Sequence, residues 1–184
     1  RRYNIPFDDF ALLIFHPITT ELNNLLFNTN QLVEAVLESG FNFIVVHPNN
    51  DPGTDIILNL FQEKLFNHPR FAFFPSLRFE YFLTLLKESH FIIGNSSAGI
   101  REAPYYGVPA INVGNRQNGR MKNNATESIK HCDCEKHNIL SFIQEHTTSR
   151  VRYEPTHNFG VGNSKNNFLE ILNQDKIWDT KTQK

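Results

Sequence analysis

What this chain lacks narrows the field first. It has no apolar run near the about 20 residues needed to cross a bilayer as a helix, so neither a membrane span nor a membrane partner is expected. No secretory leader pattern is expected either. Charge of one sign is missing too: 18 Lys and Arg stand against 19 Asp and Glu, a formal net charge of −1. Without a basic cluster beyond the adjacent arginines at positions 1 and 2, a nucleic-acid partner is not expected. Cysteine is nearly absent. Cys132 and Cys134 are the two present, too close for an ordinary disulfide and without a second ligand pair for zinc, although His131 and His137 lie nearby. The expectation is therefore no metal, no cofactor and a cytosolic protein. Internal repeats and low-complexity tracts are also missing.

What is present is a chain of 184 residues, 40% of them hydrophobic, enough for one domain with its own core. Residues 1–9 are polar, contain Pro6 and read as a linker from a domain upstream. Phe10 to Phe15 and Phe41 to Val46 are unbroken apolar runs, the signature of parallel strands buried on both faces, and Arg70 to Phe74 reads as a third. Helical spacing fills the gaps. One helix opens at Thr20 and Glu21 and runs to Ser39, with Leu22, Leu25, Leu26, Val33, Val36 and Leu37 facing inward. A second carries Ile56, Ile57, Leu60, Phe61 and Leu65, and a third spans Arg78 to Ser89 with Phe79, Phe82, Leu83, Leu85 and Leu86. Alternation of strand and helix predicts right-handed crossovers and a five-stranded parallel α/β sheet in the order 3-2-1-4-5. Past Arg120 the pattern weakens to a loop at 123–126, a short strand at 128–130 and helices at 135–146 and 164–172.

The densest stretch is Phe91 to Arg120. A short strand, Phe91 to Ile93, runs into Gly94-Asn95-Ser96-Ser97, which supplies turn residues and a helix cap. A helix starting near Ala98 would direct its unpaired amides and the positive end of its dipole at this turn, a place for an anion. Capping alone also accounts for both serines. Glu102 lies one turn further on, and the next strand, Ala110 to Val113, enters the polar loop Gly114-Asn-Arg-Gln-Asn-Gly-Arg120. Loops at the carboxyl ends of such strands hold ligands in α/β proteins. In the expected order, His16-Pro17 after the first strand and Ser96 after the fourth flank one crevice.

The runs Gly94-Asn-Ser-Ser-Ala-Gly-Ile-Arg-Glu102 and Gly107-Val-Pro-Ala-Ile-Asn-Val-Gly-Asn-Arg-Gln-Asn-Gly-Arg120 resemble the C-terminal domain of UDP-N-acetylglucosamine 2-epimerases, most of all the hydrolysing branch. The match extends from about Phe15 to Arg120. The resemblance implies a Rossmann-like parallel sheet with helices on both faces, the C-terminal half of a two-domain GT-B-type architecture. It divides the chain into a linker at 1–9, a nucleotide-sugar-binding domain at 10–165 and a C-terminal helix and tail at 166–184. It implies UDP or a UDP-sugar as ligand, the missing N-terminal domain as partner and a homo-oligomeric full-length protein. By the same resemblance His16 is catalytic and steadies a departing UDP, through a hydrogen bond or as imidazolium. Ser96, Ser97 and Arg116 take the diphosphate and Glu102 the ribose. Asn49 makes a polar contact near the sugar-nucleotide, Phe82 stacks on uracil, and the Leu77 backbone meets the base edge. Read from the residues alone, His16 serves equally as a capping histidine, Phe82 as core, Asn49 as a turn residue and Arg120 as surface; His47 has no derivable role. A UDP-2,4-diacetamido-6-deoxy-sugar 2-epimerase of a legionaminic-type pathway, a glycosyltransferase half and a non-catalytic nucleotide-sugar module remain alternatives.

Overall fold

The computed structural model describes residues 3–120, 126–174 and 178. The arginine pair at the start, most of the 123–126 loop and the tail from 175 onward, Trp178 excepted, lie outside the described residues. Six strands form one sheet: β1 Ala11–Ile14, β2 Phe43–Val46, β3 Phe71–Phe74, β4 Ile92–Gly94, β5 Ala110–Val113 and β6 Ile129–Cys132. Their order is β3-β2-β1-β4-β5-β6, and every pairing is parallel. Winding reverses between β1 and β4, so the loops leaving these two neighbours part in opposite directions and open a crevice at their carboxyl ends. The first five strands stand in the expected order. β6 joins as a sixth beside β5, an edge strand whose Lys130 and His131 are exposed, which is why its apolar signal was faint.

Parallel strands buried on both faces need cover on both, and successive side chains supply it alternately. Leu13, Phe43, Val45, Ile93 and Ile111 point to one face. There they pack against α1 (Leu22–Glu38), α2 (Thr54–Lys64) and α5 (Lys136–Thr147). Leu12, Ile14, Ile44, Ile92 and Ala110 point to the other, beneath Leu86 of α3 (Phe79–Glu88) and the segment Ala98 to Ala103. The result is a doubly wound sheet. The segment at 3–9 is docked rather than loose, since Ile5 and Phe7 pack against this second face and Tyr3 meets Phe74 edge-on at 5.6 Å.

Three local expectations need correction. The inward stripe of α1 is Leu25, Thr29, Leu32, Val33, Ala35 and Val36, whereas Leu22, the first helical residue, and Leu26, which follows buried Leu25 directly and so turns off its face, are exposed. In α3 only Leu86 is fully buried, and Phe79 is 61% exposed. The helix expected from Ala98 is a single 3-10 turn, Ser97–Gly99, followed by the one-turn helix α4 (Glu102–Tyr105). Pro104 explains the break: it has no N–H to give the Ile100 carbonyl, and its ring would collide with it in a continuous helix. A last helix, α6 (Ser164–Leu172), buries none of its residues.

Candidate functional site

The site is built where β1 and β4 end. Gly94 is required there: its φ is +126°, and a Cβ would lie 2.0 Å from the Ile14 carbonyl oxygen. This close approach lets Asn95, fully buried, reach across to the neighbouring chain. The Asn95 amide nitrogen donates to the His16 carbonyl at 2.8 Å, and the His16 N–H donates to Asn95 Oδ1 at 2.7 Å. On its main-chain side, the Asn95 carbonyl accepts from Arg116 Nη1 at 3.2 Å and from Gln117 Nε2 at 2.6 Å. The polar loop after β5 is thereby folded back over the turn after β4. A third tie anchors it to α1, from Asn115 Nδ2 to Glu21 Oε1 at 2.6 Å.

His16 is held from the other side by β2's outgoing loop. The Asn49 N–H donates to His16 Nδ1 at 3.1 Å, so Nδ1 is the acceptor and the ring proton sits on Nε2. Burial, and next the charge of Arg116, push the imidazole down to about 4, against a smaller upward pull from Asp51. At neutral pH His16 is therefore a neutral donor through Nε2–H. Asn49 is fixed in turn: Nδ2 donates to Asp51 Oδ2 and its carbonyl accepts from the Thr54 hydroxyl, while its buried Oδ1 has no partner among the described residues.

The Arg116 guanidinium is half-buried, its pKa lowered by burial and by Arg120, and raised by Asp51. It is still a cation at neutral pH. With Arg120 exposed at the same loop, positive charge outweighs Asp51 here. Ser96 Oγ accepts from the Ala98 N–H at 3.3 Å, which is the capping role, and its hydroxyl hydrogen remains available to a ligand. Among the described residues the Ser96 and Ser97 amides donate to no backbone carbonyl. Because the 3-10 turn is so short, the anion-attracting elements here are these amides, the hydroxyls and Arg116, with little from a helix dipole.

The structure thus gathers His16, Asn49, Ser96, Ser97 and Arg116 around Asn95. Glu102 lies on the far side of α4's start, in a cleft of about 460 Å³ with Phe79, Leu83, Arg101, Tyr105 and Phe159. Leu77 is half-buried between β3 and α3, and Phe82 is half-buried against the second-face core, where Phe79 is the α3 aromatic that lines the cleft. His47 sits edge-on to Phe73 at 6.2 Å, its pKa lowered by burial. Burial pushes the Cys132 and Cys134 thiols up to about 12 and about 11, so both are protonated and unreactive. Asn95, Gln117 and Asp51 were not singled out from sequence. The first two act through backbone atoms, which leave no residue pattern; Asp51 was visible only as a turn residue.

Comparison with known proteins bears on the family and the fold. The family model described as UDP-N-acetylglucosamine 2-epimerase matches residues 1–173. A Neisseria meningitidis protein named UDP-N-acetylglucosamine 2-epimerase is 42% identical over 99% of this chain and 48% of its own length. A Legionella pneumophila protein named UDP-N,N'-diacetylbacillosamine 2-epimerase (hydrolyzing) is 27% identical over 94% of this chain and 45% of its own. The S. aureus MnaA co-structure with UDP superposes with a TM-score of 0.69 at 16% identity, covering 100% of this chain and 50% of that one, which speaks to the fold. The chain spans about half the length of the curated relatives it matches.

Proposed function

The chain belongs to the UDP-N-acetylglucosamine 2-epimerase family, and from that premise we propose that it is the UDP-gripping, C-terminal half of a hydrolysing 2-epimerase. The observation that carries the reading is the convergence of a neutral Nε2–H donor on His16 with the Arg116 cation, both fixed by Asn95 beside unpaired amides. Such a group fits a diphosphate that gains charge as it departs. In this scheme residues 10–165 bind the nucleotide-sugar, 1–9 lead in from the missing half, and 166–184 form a C-terminal helix and tail.

The reaction removes the proton at C2 of the sugar while the C1–O bond to UDP breaks, leaving a glycal. Water then adds across the glycal, its hydroxyl to C1 and its proton to the opposite face of C2, and the free C2 epimer leaves. This chain's part is electrostatic. Arg116, Ser96 and Ser97 hold the diphosphate oxygens, Glu102 accepts from the ribose hydroxyls, and His16 Nε2–H meets the oxygen on which charge collects. Leu77 and Phe82 attend the base, and Asn49 holds the His16 ring. The proton-transfer carboxylates come from the other half, which closes the cleft against water.

The test is the full-length protein incubated with UDP-N-acetylglucosamine, the products followed by NMR. Free N-acetylmannosamine and UDP are expected; accumulation of UDP-N-acetylmannosamine instead would move the enzyme to the non-hydrolysing class. The Legionella relative supports a 2,4-diacetamido-6-deoxy sugar as the second substrate to try. The isolated chain should bind UDP weakly and turn over nothing, and turnover by it alone would refute the division of labour. Full-length protein is expected to sediment as a homo-oligomer.

A further inference from the structure

Beyond Ile14 and Gly94 the strands β1 and β4 no longer pair by backbone: the last rung is the Asn95 N–H to the Ile14 carbonyl at 3.1 Å. The next rung is supplied by a side chain. The Asn95 carboxamide carries a donor and an acceptor set as in a peptide group, and it takes both polar atoms of His16's backbone, at 2.8 and 2.7 Å. β1 is in effect extended to His16 while the β4 chain is already turning away to form Ser96 and Ser97. Asn95's own carbonyl, released from the ladder, takes Arg116 and Gln117 instead.

We propose that Asn95 is the positioning residue that holds His16 and Arg116 in one rigid frame, so that donor and cation meet the same diphosphate. This rests on the reading above for what the frame binds, but not for the frame itself. Residue type is decisive. Aspartate keeps the acceptor for the His16 N–H but turns a second acceptor on the His16 carbonyl; serine is too short to span both atoms. At 0% exposure Asn95 is sealed from bulk solvent, so either bond, once lost, leaves a buried polar group of His16 short of its partner.

The test is a double-mutant cycle in the full-length protein, reading kcat/KM and UDP affinity. Asn95→Asp should lower kcat/KM about 100-fold with His16 present and about 10-fold in the His16→Ala background, where the share exerted through the imidazole is already gone and the hold on Arg116 remains to be lost. Equal losses in both backgrounds would overturn the proposal, because a merely structural asparagine costs the same with or without the imidazole. Asn95→Ser carries the same cycle should the buried carboxylate prevent folding. A further arm separates this proposal from the functional reading. If wild type neither binds UDP nor releases it, that reading fails, and the frame is then judged from the His16 ring resonances. These should show the Nε2–H tautomer and a titration near pH 4 in wild type, moving upward by at least one unit in Asn95→Ser, which adds no charge of its own; an unmoved titration would overturn the frame.

Discussion

Two histidines bracket the paired strands β1 and β4, one at each end, and they are used in opposite ways. His90 precedes β4, is 5% exposed, and has both nitrogens occupied: Nε2 meets Asp9 Oδ1 at 2.8 Å and Nδ1 meets the His146 carbonyl at 3.2 Å. Phe41 lies against its ring at 5.0 Å, and Arg150 braces Asp9 at 3.5 Å and Glu88 at 3.4 Å. His16 follows β1 and has one nitrogen committed, to the Asn49 N–H, with Nε2 unbonded among the described residues. Burial separates them only in degree, His90 sealed and His16 half-buried, and does not by itself say what a histidine is for. The uncommitted nitrogen does: a closed hydrogen-bond set stabilises the fold, and an open one leaves a donor for a ligand.

Removing each ring in turn should separate the two roles. The largest effect belongs to His16→Ala in the full-length enzyme, where loss of one preorganised donor to developing charge costs on the order of 100- to 1,000-fold in kcat/KM. Its melting temperature should stay within about 3 °C of wild type, because the change removes one partly exposed hydrogen bond. Steady-state kinetics beside a thermal melt reads both. A large fall in stability with little loss of rate would erase the comparison.

His90→Leu should do the reverse. It removes two hydrogen bonds at a buried position and leaves the His146 carbonyl without its partner, a loss on the order of 2–3 kcal/mol of stability. UDP affinity and kcat should be unchanged, since His90 lies at the opposite edge of the sheet from the crevice. Urea denaturation gives the first number and calorimetry with UDP the second; a weakened UDP affinity in folded His90→Leu would show that the two ends are coupled.

The pattern of strands and helices was readable because burial on both faces writes itself as unbroken apolar runs, as in Phe10 to Phe15 and Phe41 to Val46. Where one face is wet the signal thins, as at β6 with exposed Lys130 and His131, and along α3 where only Leu86 is sealed. The break between Ser97 and Glu102 was also written in the sequence, at Pro104, but the cap signal at Ser96 overshadowed it. Candidate site residues with side-chain chemistry, such as His16, Arg116 and the serine pair, can be proposed from their motif. Asn95 was inside that motif and unread, for its work is to complete a backbone ladder, and Gln117 likewise reaches a carbonyl. Such roles depend on where two chain segments part, which no residue spacing records.

Acid sharpens the contrast further. His16 has its folded pKa lowered, from about 6.5 to about 4, so the unfolded chain binds its proton first. The stability this group contributes is complete above about pH 6.5 and is lost as pH falls toward 4, a loss on the order of 2 kcal/mol after allowing for solvent screening of the partly exposed ring. His16→Gln should flatten the pH-stability curve within that window. A curve as steep as wild type's would mean that the ring is not held neutral.

The smallest effect lies at the other end and at lower pH. Asp9 is exposed, and its carboxyl is held below the usual range first by the His90 hydrogen bond, which outweighs an opposing effect of desolvation, and then by the charges of His90 and Arg150. A depressed carboxylate adds stability that is present above the unfolded value near 3.9 and lost as pH falls through the folded value. The loss should therefore begin only where the His16 contribution is already largely spent. Asp9→Asn should remove this lower limb and leave the window between 6.5 and 4 intact. Chemical denaturation midpoints taken at half-unit steps from pH 7 to pH 3 resolve the two. If Asp9→Asn instead flattened the upper window, the stability lost there would not belong to His16, and the division between an open and a closed histidine would fail.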